Sequence, residues 1–234
     1  MRNWLVVFAV TTSMMHAQAG AQQTEPKVAA PLPSRLESFL TANPGATRTT
    51  KLLRSLTGVG DVWDTETNLV RQAQITATFA AILASLPGSS TIKEKGLEIR
   101  IEYLGNHGEQ RLLRRMYIDE DILDQFDEEL GRLLQLERDW QHQHPLGYRT
   151  ESEHPPCGIS PAGVNLSNAA EDQGDDSRRR MPLVVGWYWK VDPAGDEPVG
   201  RVCLLVSGEY YFPQAKLEQL IEIVAKGRAF LAAN

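Results

Sequence analysis

The sequence predicts an α+β fold built of antiparallel β-hairpins, each covered by an amphipathic helix. Two observations lead there. Residues 97–140 and 182–234 each alternate apolar and polar side chains across a turn, then switch to helical spacing. Hydrophobic residues make up 42% of the chain, enough to bury a core.

Residues 1–21 read as a secretory signal peptide. Met1-Arg2-Asn3 supplies the basic start, Trp4 to Val10 the short apolar stretch, and Ala17-Gln18-Ala19-Gly20-Ala21 the small residues of a cleavage site after Ala19 or Ala21. The apolar stretch falls well short of the ~20 residues of a spanning helix, and no later one is long enough. The expectation is a periplasmic or secreted protein of about 213 residues with no membrane span once mature.

Residues 22–33, QQTEPKVAAPLP, read as a mobile tether. An N-terminal α+β domain is expected over residues 34–140. Ser34 and Glu37 form a capping box for a short helix with Leu36, Phe39 and Leu40 on its apolar side, ended by Asn43-Pro44-Gly45. Leu69 to Leu86 fits two patterns. Ala73, Ile75, Ala77 and Phe79 alternate as in a strand, while Ile75, Phe79, Ile82 and Leu86 share a helical face; β-branched residues favour strand at the start.

GLEIRIEYLG sets Leu97, Ile99, Ile101 and Tyr103 against charged neighbours, a strand with one wet face. Asn106-His107-Gly108 turns the chain and QRLLRRMYI returns. Asp119 then caps a helix with Ile122, Leu123, Phe126, Leu130, Leu133 and Leu134 on one face. Its acidic start, Asp119, Glu120, Asp121 and Asp124, suits the helix dipole and a solvated surface, and it lacks the alternating ligands of a calcium loop.

Residues 141–181 read as a long linker and 182–234 as a C-terminal β-β-α unit. PLVVGWYWKV and GRVCLLVSGEYYF are its two strands, and Pro213 opens a helix with Leu217, Leu220, Ile221 and Val224 inward. Setting Tyr117 against Tyr211 pairs Ile118 with Phe212, Leu123 with Leu217 and Phe126 with Leu220. That alignment suits a duplicated β-β-α unit, and equally any two amphipathic helices that follow strands.

The linker holds the main chemical candidates. His142, His144, His154 and Cys157 are ligand types for Zn²⁺ or a copper ion, and on an extended backbone His142 and His144 point the same way. Their spacing matches no structural zinc pattern, so a solvated linker is the competing reading. Cys157 and Cys203, the two cysteines of an exported chain, are expected to form a disulfide; the alternative is two thiols with Cys203 buried. Trp187 and Trp189 share one strand face, where they would stack on a glycan, grip a partner protein, or cover the sheet beneath a helix.

Net charge −6 and scattered basic residues exclude a phosphate-binding stripe, hence a nucleic-acid partner. No nucleophile elbow, zinc-protease helix or phosphate loop occurs, and His107 is the one histidine outside both leader and linker. The sequence therefore points to an exported, non-catalytic binding or scaffolding protein, its partner an envelope or extracellular protein or a glycan. The alternative is a metal-binding protein or metalloenzyme built on the histidine- and cysteine-rich linker.

Overall fold

The computed structural model describes residues 34–64, 68–105, 107–143, 158–159, 165–167, 184–190, 199–205 and 209–234. Residues 1–33, read above as leader and tether, and most of 141–181 lie outside them.

Helix α1 (Arg35–Ala42) is followed by an antiparallel meander of four strands, β1 (Thr47–Asp64), β2 (Leu69–Ser85), β3 (Ile92–Leu104) and β4 (Gln110–Asp119). A single 3₁₀ turn (Glu120–Ile122) leads into α2 (Leu123–Gln143). Two short pieces, β5 (Gly158–Ile159) and β6 (Asn165–Ser167), precede β7 (Val184–Lys190), β8 (Val199–Leu205), β9 (Glu209–Phe212) and α3 (Leu217–Ala232). The nine described strands form one antiparallel sheet in the order β5-β7-β8-β9-β1-β2-β3-β4-β6. The α+β class is therefore as the sequence predicts.

The hairpin β3–β4 turns at Gly105–Glu109, with Gly108 at φ +81°, where the left-handed backbone suits glycine. The ambiguous stretch is strand from Leu69 to Ser85. Odd positions Ala73 to Leu83 of β2 enter the main core, while Ala80, Ile82 and Ala84 on the other face are covered by Leu36 and Leu40 of α1. Burial on both faces erases the two-residue period at that end, and the remaining apolar run then mimics a helix.

β1, the longest strand, is the one that periodicity does not announce. A bulge between Leu52 and Arg54 shifts the register by one residue, so apolar positions change parity halfway along. Further along, glycines stand where apolar residues would signal a strand. Gly58 is needed there, because a Cβ would run into the Tyr211 carbonyl oxygen of β9.

The C-terminal stretch differs from its predicted hairpin. GRVCLLVSGEYYF is two strands, β8 and β9, paired antiparallel from Leu205↔Glu209 to Val202↔Phe212. α3 starts at Leu217, four residues after Pro213; a turn intervenes in which Ala215 N–H donates to the Phe212 carbonyl at 2.9 Å. Leu123 and Leu217 nevertheless both open their helices, and Ile118 and Phe212 are both fully buried just before them. The strand arrangements differ: β4 pairs with β3 and β6, β9 with β8 and β1.

Because β9 joins β1, the C-terminal strands share one sheet and one core with the N-terminal ones. α2 and α3 lie side by side on that core face and run antiparallel. Arg228 near the end of α3 pairs with Asp124 and Asp127 at the start of α2, at 2.6 and 2.7 Å, while Arg138 far along α2 reaches Glu218 at the start of α3. Among the described residues, the helix on the opposite face is the eight-residue α1.

Candidate functional site

One short helix cannot cover four long strands. α1 packs over one end of β2–β4, and among the described residues the rest of that face is open, with a cavity of about 410 Å³ beside Leu40. Strand register decides which side chains meet there, since directly opposed residues share a face. One row across the sheet is Leu52, Ala80, Glu98 and Tyr117; the next is Ser55, Thr78, Arg100 and Arg115. Arg48 enters from the start of β1.

Three arginines and one glutamate thus line a single depression in a chain of net charge −6. Glu98, nearly buried, is held by Arg115 Nε at 3.1 Å and by the Tyr117 hydroxyl. Burial and the Glu98 carboxylate push the Tyr117 hydroxyl above its ordinary pKa, with Arg115 and Arg48 opposing. Tyr117 therefore stays protonated and acts as a hydrogen-bond donor. Arg100 lies 3.5 Å from Glu102. Leu52 is 64% exposed, a large apolar side chain left on the floor of a charged groove. Chemically the arrangement suits recognition: fixed charges, donors and an apolar strip.

The predicted candidates fall elsewhere. His142 is exposed in the last turn of α2, which continues to Gln143, so its backbone is helical rather than extended. His144, His154 and Cys157 lie outside the described residues. Among the described residues no three histidine, cysteine, aspartate or glutamate side chains are grouped to hold a metal ion. Cys203 is buried on β8. Cys203 carries no disulfide to any described residue, and its expected partner Cys157 is outside the described residues. Trp187 and Trp189 lie on β7 opposite Val202 and Gly200; their side chains are outside the described set. His107 is in the β3–β4 turn, its N–H donating to Glu109 Oε2 at 3.1 Å.

The groove residues were visible in sequence only as the wet face of one hairpin, Glu98, Arg100 and Glu102, with no sign of what stood beside them. Fold and groove together define an α+β protein with an antiparallel sheet and an arginine-lined depression on one face. No protein-family model, curated protein or solved structure matches the chain. Among the described residues, no helix is long and apolar enough to cross a membrane.

Proposed function

We propose that the chain is an exported, non-catalytic α+β protein with a binding role in the periplasm or outside the cell, and that the groove over β1–β4 is its binding surface. The observation that carries this is the convergence of Arg48, Arg100, Arg115 and exposed Leu52 on one cavity of about 410 Å³, a size typical of ligand sites. Export rests on the leader at residues 1–21. Duplication of a β-β-α unit is supported by the matching strand-to-helix steps at Leu123 and Leu217.

Native mass spectrometry of the chain isolated from its own envelope or medium tests the reading. The expected species begins at Gly20 or Gln22, and a disulfide lowers its mass by both thiol hydrogens. A bound small molecule is expected that Leu52→Glu expels. An uncleaved chain inside the cell overturns export, and an adduct that survives Leu52→Glu overturns the groove as the site.

A further inference from the structure

We propose that the groove recognises an anionic amphiphile, its acid headgroup held by Arg48 and Arg100 and its apolar body lying against the exposed side chain of Leu52. This rests on the binding reading above and names its ligand class. The cations differ in how far they are already engaged. Arg115 is committed to Glu98. Arg48 is exposed and makes no hydrogen bond or ion pair among the described residues. Arg100 pairs only with Glu102 there, at 3.5 Å, and its side chain is 39% exposed.

Guanidinium forks with spare donors match carboxylate and phosphate oxygens. The local excess of cations stands against an acidic chain and concentrates anions at the groove. Glu98, already bound twice, offers little to a cationic ligand. The exposed apolar side chain lies one row away: the row of Leu52 and Ala80 stands about 7 Å along the strands from the Thr78–Arg100 row, and Leu52 is its open member. A headgroup with an apolar tail spans both, whereas a bare anion leaves Leu52 in water.

The test titrates the full mature chain with octanoate, octyl phosphate, octanol and inorganic phosphate, following the amide resonances of β1–β4. At least one acid amphiphile is expected to bind, with octanol and inorganic phosphate each weaker by about tenfold or more, the scale of one charge-assisted contact. The stronger of the two acids identifies the headgroup. Arg48→Ala should weaken that acid about tenfold while leaving the melting temperature unchanged, and Arg48→Lys should restore part of it. Octanol binding as tightly as the acids would overturn the anion assignment and leave the groove reading standing. Inorganic phosphate binding as tightly as octyl phosphate would overturn the apolar half. If neither acid shifts the groove, the ligand class is wrong; the fate of the adduct in Leu52→Glu then decides the groove reading separately.

Discussion

The Asp119 carboxylate at the end of β4 accepts the backbone N–H of Arg35 at 2.7 Å and that of Leu36 at 3.0 Å, so a side chain 84 residues away caps helix α1. Ser34 caps the same helix locally, accepting the Glu37 N–H at 2.9 Å. The Arg35 guanidinium adds a 2.8 Å bond to Asp121. Asp119, expected from its position to cap α2, makes no side-chain cap there. It fastens α1 over the groove end of the sheet.

Asp119→Ala should therefore loosen α1 selectively. Two buried or half-buried N–H groups lose a charged acceptor, a cost of about 2–3 kcal/mol. Urea unfolding gives the total, and hydrogen exchange should show faster exchange in α1 than in α2 or α3. Equal acceleration in all three helices would sink this assignment.

Gly58→Ala strikes the seam between β1 and β9. Its methyl has no space beside the Tyr211 carbonyl, and the atom that must give way is backbone. The expected loss is about 1–3 kcal/mol, read as a lower denaturation midpoint and as faster exchange of the β9 amides. Gly131→Ala in α2 is the control for volume, since nothing lies within 4 Å of its added methyl and its backbone is helical, so no loss is expected there.

Arg228→Ala cuts both ion pairs between α3 and α2. The guanidinium is 41% exposed, so solvent screens it and the loss should be only about 0.5–1 kcal/mol. The difference between wild type and variant should shrink as salt is raised. A loss that is insensitive to salt would assign the effect to packing of the side-chain stem instead.

Alkaline pH should destabilise the fold through Tyr210 and Tyr117, whose hydroxyls are raised above 10.0 chiefly by burial. The folded values lie above the unfolded one, so their contribution is fully present below about pH 10 and is lost as pH rises through the raised values. Tyr210→Phe should flatten that decline and leave neutral stability nearly unchanged. Tyr117→Phe should flatten it too, while costing about 1 kcal/mol at neutral pH through the lost bond to Glu98. Unfolding free energies measured across this range compare the slopes.

Much of the architecture was legible from local pattern. Ser34 and Asn43 bound α1, the alternation from Leu97 to Tyr103 marks β3, and the apolar face from Leu123 to Leu133 marks α2. These signals act within a few residues, through backbone capping and side-chain period. β1 escaped because its bulge breaks the period, and β8–β9 read as one strand because apolar residues continue on either side of Ser207-Gly208.

The sequence alone determined the α+β class, the hairpin β3–β4, and helices whose apolar faces require a sheet. Only the tertiary structure decided that β9 closes onto β1, that Asp119 holds α1, and that Arg48, Arg100 and Arg115 face one cavity. The physical reason is reach. Secondary structure depends on neighbours a few positions away, whereas a groove depends on the register of four strands, and register sets beside one another charges that appear scattered along the chain.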